Sequence, residues 1–264
     1  MMTPALRKLG ETYDIDMVLP KYHEVFYNLA YIKNLFSFEN QPFKEDYDNV
    51  IDLGDYEYNY ERIFQPNNIT KSKIELFADA LKVNINNNKL DIKLSEDEMS
   101  WVKNLLSEFN LENKKKILIA IKSTSKSRDW SLENWKILIE KLKKLHYRII
   151  IVDKELKWDD KEIVFFTNLN IRKLFALTSK VDYVICNDSG VLHIAGAFEI
   201  STLGIFGPTD PKFRCLYKNS HWITNNLNIA PCWFEKSKNV DYFATITTEA
   251  VERKILEVIE NGWE

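Results

Sequence analysis

The chain has 264 residues, 45% hydrophobic and 28% charged, an ordinary globular composition with apolar material for more than one core. Its formal net charge of −3 excludes a strongly basic protein and gives no general attraction to nucleic acid or anionic lipid; only a local basic cluster would bind phosphate. The three cysteines, Cys186, Cys215 and Cys232, are odd in number and form no CxxC pair, which argues against a disulfide framework or a structural zinc site and fits reducing cytoplasm.

No window approaches ~20 uninterrupted apolar residues and the N-terminus carries no apolar signal core, so no membrane span is expected. Thr3 to Leu9 reads as a helix, with Thr3 as its N-cap and Pro4 at the first helical position. Ile15 to Pro20 reads as a short strand, His23 to Leu35 as a helix, Asn49 to Gly54 as another strand, and Ile74 to Leu81 as an amphipathic helix. Such alternation is what a parallel, doubly wound sheet produces. Lys89 to Leu94 is expected to be a linker strand, and Ser95 to Phe109 a helix opened by a capping box of Ser95 and Glu98. The charge run from Glu112 to Lys116 marks a boundary, giving an N-terminal domain over 1–112 and a C-terminal one over 113–264.

The second half is the clearer one. Strands are expected at Lys116 to Ile121, Tyr147 to Asp153, Val181 to Asn187 and Ser201 to Phe206. Helices are expected at Leu132 to Leu145, Asn170 to Ser179, Val191 to Phe198 and Thr248 to Glu260. A β/α series of at least four strands places a ligand outside the C-terminal strand ends. Attention therefore falls on loops 122–131, 187–193 and 207–214. No GxGxxG follows any strand, which sets aside a dinucleotide dehydrogenase.

The first loop, KSTSKSRDWS, crowds hydroxyls (Ser123, Thr124) and cations (Lys122, Arg128) at one strand end, a composition suited to an anion. It reads also as a solvated turn with Ser131 as N-cap and Trp130 as a packed anchor. In the second, NDSGVLHIAGAF, Gly190 permits close approach of a ligand, Ser189 and the following N–H groups suit phosphate, and Asp188 suits sugar hydroxyls. Helix capping by Asp188 or Ser189 and a satisfied core role for His193 are the plainer alternatives. Ala195, Gly196 and Ala197 suggest close packing of helix on sheet. The third, FGPTDPKFR, is a rigid turn carrying Thr209 and Asp210, with Asp210 also fit simply to cap it.

Together, VDYVICNDSGVLHIAGAFEISTLGIFGPTDP and the upstream SRDWSLENWKILIEKL resemble glycosyltransferase family 9, the ADP-heptose:lipopolysaccharide heptosyltransferases, over roughly 115–260. The resemblance implies an α/β GT-B fold: two Rossmann-like domains facing a cleft, with the donor held by the C-terminal one. It implies an inverting, metal-independent transferase of lipopolysaccharide biosynthesis with no cofactor beyond its nucleotide-diphosphate sugar. Carried over by position, Ser123 and Thr124 would contact the donor diphosphate and Arg128 would neutralise it. Asp188 would bind donor sugar hydroxyls, Ser189 and Gly190 would give N–H groups to phosphate, and His193, Thr209 and Asp210 would line the same pocket. Leu169 or Asn168 falls near the adenine contact, and Glu155 near the ribose-binding acid.

Family members begin with a strand and a Gly-Asp pair before a helix much like TPALRKLGE. By that resemblance the first strand of the N-terminal domain and its Asp, the general base, would precede Met1. Asp14 and Asp16 stand at the start of a strand rather than after one, so no catalytic base is named. Two functions are expected to compete. One is a cytoplasmic heptosyltransferase using an ADP-heptose donor and a glycan or protein acceptor, at most peripheral at the inner membrane and without nucleic acid. The other is a catalytically silent nucleotide-sugar-binding protein. On the acceptor side, Tyr56, Tyr58, Tyr60 and Phe64 read as packing rather than stacking platforms.

Overall fold

The computed structural model describes residues 1–54, 56, 59–60, 70–153, 160–214, 217–225 and 240–261. Its larger sheet has six parallel strands: β3 (Lys116–Ala120), β4 (Arg148–Asp153), β5 (Ile163–Thr167), β6 (Tyr183–Asn187), β7 (Ser201–Phe206) and β8 (Ser220–Thr224). They run in the spatial order β5-β4-β3-β6-β7-β8. Strand order therefore reverses between β3 and β6, the point at which a doubly wound sheet opens a crevice at its carboxyl ends.

Strand alternation divides the core between the two faces. Ile117 and Ile119 of β3 point to one face and pack with Trp135, Leu138 and Leu142 of α4 (Leu132–Lys143) and Val251 and Ile255 of α7 (Thr248–Asn261). Leu118 and Ala120 point to the other, meeting α5 (Ile171–Thr178) through Ala176 and Leu177 and α6 (Gly190–Ala197) through Leu192 and Ala195. Helix α3 (Glu96–Glu108) joins this second face through Val102 and Leu106. The packing unit of the large sheet thus begins ahead of residue 113. The capping box expected at the start of α3 is present, Ser95 with Glu98. Cys186 is buried, as its apolar run implies; Cys215 and Cys232 lie outside the described residues.

The N-terminal part holds α1 (Thr3–Leu9), α2 (Lys73–Ala80) and a small parallel sheet of β1 (Ile15–Leu19) and β2 (Ile32–Ser37). Ala5, Leu6, Ile15, Met17 and Phe77 form its core. Four expectations fail here. Residues 23–35 are not a helix: a single 3-10 turn (His23–Phe26) gives way to β2, because Asn28 takes φ 66° and breaks any helical continuation. Residues 49–54 form no strand among the described residues. Residues 89–94 form none either, because side chains of α1 take their backbone groups. Thr3 Oγ1 accepts from the Asp91 N–H (2.9 Å) and Arg7 donates to the Lys89 carbonyl (3.2 Å). Met2, not Thr3, occupies the N-cap of α1. Two strands beyond those expected, β5 and β8, close the two edges of the large sheet.

Side chains tie the two parts together. Arg172, at the start of α5, grips Glu98 through Nε and Nη2 (2.5 and 2.6 Å) and donates to the carbonyls of Lys93 (2.6 Å) and Glu24 (3.1 Å). Ile74 and Leu90 pack on Ala197.

Candidate functional site

Loops from three adjacent strands converge at the switch point. Asn187, fully buried at the end of β6, donates through Nδ2 to the Ile121 carbonyl (2.5 Å) and accepts from the Trp130 N–H through Oδ1 (3.3 Å). It ties the loop after β3 to the loop after β6. Trp130, also buried, donates through Nε1 to the Ile246 carbonyl (3.1 Å) and anchors the other end of that loop. Within the loop, Asp129 accepts the Ser123 N–H (2.7 Å), while the Ser123 hydroxyl donates to the Ser125 carbonyl (2.7 Å).

This scaffold places Arg128 against Asp188. Arg128 Nη1 donates to the Asp188 carbonyl (3.0 Å) and lies 3.3 Å from its carboxylate, and Nη2 donates to the Thr124 hydroxyl (2.6 Å). From the loop after β7, Thr209 donates to the same carboxylate oxygen (2.8 Å) and Arg214 Nε lies 3.9 Å from it. Asp188 is only 2% exposed, Thr209 2%, Arg214 6% and Arg128 8%. Burial alone would raise the Asp188 carboxyl, but Arg214, Arg128 and the Thr209 hydrogen bond outweigh it and hold the group below the ordinary carboxylate range. Asp188 is therefore an anion that positions two guanidinium groups.

Of the next two residues, Ser189 is half-buried and Gly190 is exposed. Ser189 stands at the N-cap of α6 without capping it, and its buried hydroxyl has no hydrogen-bond partner among the described residues. Gly190 has an ordinary negative φ, and a Cβ there would meet nothing within 4 Å. Neither backbone strain nor internal packing calls for glycine at that position. One turn further, His193 Nδ1 lies 2.8 Å from the Tyr217 hydroxyl. Burial, the chain's amino group, Arg214 and Lys73 push its pKa down to about 3 against the opposing pull of Asp188, so the imidazole is neutral. The N-terminal part reaches this corner: Tyr60 stacks on Phe213 with centroids 5.9 Å apart, and Lys73 Nζ lies 5.5 Å from the same ring.

The family model of glycosyltransferase family 9 (heptosyltransferase) matches residues 56–242. The chain belongs to this family. Its fold is similar to ADP-heptose lps heptosyltransferase II of E. coli, with TM-score 0.69, 11% identity, and 100% of this chain and 96% of that one covered. It is similar also to a family 9 glycosyltransferase of Veillonella parvula, with TM-score 0.75, 15% identity and coverage of 98% and 93%. A third likeness is to TibC, an iron-containing dodecameric heptosyltransferase in complex with ADP-D-beta-D-heptose, with TM-score 0.53, 18% identity and coverage of 72% and 54%. No curated protein matches the sequence. The GT-B architecture expected for a family 9 chain is the one observed.

Of the residues the sequence singles out, Thr124, Arg128, Asp188, Ser189, Gly190, His193 and Thr209 fall in this one corner of the glycosyltransferase. Ser123 is half-buried and turned into its own loop. Asp210 accepts the Lys212 N–H (2.8 Å) and caps the short turn Pro211–Arg214. Asn168, in the left-handed region (φ 55°), and Leu169 sit at the end of β5, three strands from β6. Glu155, Tyr58 and Phe64 lie outside the described residues. Sequence reasoning missed Arg214 and Tyr217. Arg214 carried a signal, since it is the cation closing the third loop; Tyr217 carried none.

Among the described residues, no group of three or more His, Cys, Asp or Glu side chains could hold a metal ion, and no helix is long and apolar enough to cross a membrane.

Proposed function

We propose that this family 9 glycosyltransferase transfers a heptose from an ADP-heptose donor to a glycan or protein acceptor in the cytoplasm, with inversion and without a metal or cofactor. The observation that carries this reading is the corner at the switch point. Two guanidinium groups are held by a buried carboxylate beside a helix N-terminus, where Ser189 keeps a hydroxyl with no described partner and Gly190 faces open space. Such a corner suits a diphosphate: the helix dipole and N–H groups favour an anion, and guanidinium matches phosphate geometry. Residues 168–169 lie three strands away, roughly 14 Å at ordinary strand spacing, a gap that a bound nucleotide can span from base to phosphate.

In the reaction an acceptor hydroxyl attacks the anomeric carbon while the bond to the diphosphate breaks, and the hydroxyl proton passes to solvent. Charge then grows on the departing ADP, where Arg128, Arg214 and the N-terminus of α6 are already oriented and need no rearrangement. Asp188 keeps both cations in place. Ser189, Gly190 and His193 line the donor side, and the N-terminal part offers the acceptor side. Calorimetry with ADP, followed by a transfer assay with ADP-heptose and a lipopolysaccharide-core acceptor, tests this. Micromolar ADP binding with product formation is expected. ADP binding without turnover would favour a silent nucleotide-sugar-binding protein, and no ADP binding would overturn both.

A further inference from the structure

His193 and Tyr217 form a unit that the family resemblance does not assign. The two rings meet edge to face, with centroids 5.9 Å apart and planes at 82°, and the Tyr217 hydroxyl lies 2.8 Å from Nδ1. The Tyr217 ring is seated by Gly196. A Cβ at Gly196 would stand 2.3, 2.5 and 2.8 Å from three Tyr217 ring carbons, closer than real contacts allow. The glycine in the Ala195-Gly196-Ala197 run therefore makes room for an aromatic ring, while Ala195 supplies the contact with the sheet side. Because ring carbons cannot swing aside as a flexible side-chain tip can, the notch fixes where the hydroxyl stands.

A neutral imidazole has one N–H and one bare nitrogen, and the partner of one decides the role of the other. A phenol O–H donates more readily than a neutral imidazole N–H, and a bare imidazole nitrogen accepts more readily than a phenol oxygen. The favoured arrangement is thus O–H to Nδ1. His193 follows Gly190 by three residues and Ser189 by four, so all three share one side of α6. Asp188, Arg214, Lys73 and the chain's amino group are the charged neighbours of the imidazole.

We propose that Tyr217 is a positioning residue: it donates to Nδ1 of His193, fixes the Nε2–H tautomer, and so presents a neutral N–H to a phosphoryl oxygen of the nucleoside diphosphate. This rests on the donor reading above. The neutral donor adds a directed hydrogen bond beside the two guanidinium groups without adding a third buried charge, and it holds no proton that the departing diphosphate could take as an acid.

The test combines long-range proton–nitrogen NMR of His193, assigned with H193Q, and ADP calorimetry on the full chain. Wild type should show the Nε2–H tautomer. Y217F keeps the ring in the Gly196 notch; it should lose the fixed tautomer and bind ADP about twofold to tenfold more weakly, the range of one neutral hydrogen bond. In an H193Q background, Y217F should cause no further loss, because its effect passes through the imidazole. An Nδ1–H tautomer in an ADP-binding wild type, or a Y217F loss that adds in full to that of H193Q, would overturn the assignment. Wild type that binds no ADP would instead sink the donor reading, and the tautomer in the spectra would still decide whether Tyr217 sets it.

Discussion

Replacing Asp188 by asparagine tests whether that residue serves the site by holding cations. The substitution keeps the shape and removes the charge from a carboxylate that accepts from Thr209 at 2.8 Å and Arg128 at 3.3 Å, with Arg214 at 3.9 Å. Removing one partner of a buried ion pair costs about 3–5 kcal/mol. The asparagine carbonyl can still accept from Thr209, and the bond from Arg128 to the main-chain oxygen (3.0 Å) survives, so the lower end, ~3 kcal/mol, is expected. At about 2–4 °C per kcal/mol for a domain of this size, Tm should fall by roughly 6–12 °C at pH 7. The Asp188 carboxyl is held below its ordinary value, so its stabilisation is present above the unfolded pKa of about 3.9 and is lost as pH falls through the folded one. The gap between wild type and D188N should therefore be full at pH 7 and close only well below pH 4. Thermal melts across that range, with ADP calorimetry alongside, measure both effects. A D188N protein that melts with wild type at pH 7 yet fails to bind ADP would refute the positioning role and assign Asp188 to direct contact with the nucleotide.

Gly190→Ala should leave stability unchanged or raise it by about 0.5 kcal/mol, since its φ is ordinary and the new Cβ meets nothing, while ADP affinity falls about tenfold. Unchanged affinity in calorimetry would disconnect that open face from the donor. Glu98→Gln removes the charge gripped by buried Arg172 and should cost about 2 kcal/mol in urea unfolding at pH 7. Because Arg172 and the Ser95 N–H lower the Glu98 carboxyl despite its partial burial, that cost should shrink as pH falls below about 4 through the folded pKa; a pH-independent cost would implicate packing instead. Trp130→Ala should cost about 3–5 kcal/mol in chemical denaturation, and a loss under about 1 kcal/mol would show that the loop after β3 does not hang on this residue.

The large sheet was legible because its central strands are buried on both faces. Runs such as KILIA and YVICN are apolar at nearly every position and bounded by polar turns, a pattern a two-sided parallel strand requires. The edge strands β5 and β8 escaped because only their first residues are fully buried, so IVFFT and SHWIT carry neither a continuous buried run nor a clean alternation. The N-terminal part was misread for a different reason. HEVFYNLAYIKNL has helical spacing of apolar residues, but Asn28 in the left-handed region divides it, and Ile32 pairs with Ile15 instead of continuing a helix. Long-range pairing overrode local periodicity there.

For the site, the sequence showed which loops matter but not what each side chain touches. Residues at the ends of consecutive strands are brought together by sheet topology alone, so Arg128, Asp188 and Thr209 could be grouped before any coordinates. Their division of labour depends on burial, which spacing does not encode. Asp188 is written in the chain as a polar residue before a helix, equally suited to cap it or to meet a sugar, and only its enclosure by Arg128, Arg214 and Thr209 makes it the anion that holds the cations. Tyr217 is further from legibility still. Its link to His193 runs through a notch at Gly196, and a missing Cβ acquires meaning only when the ring that fills its space is known.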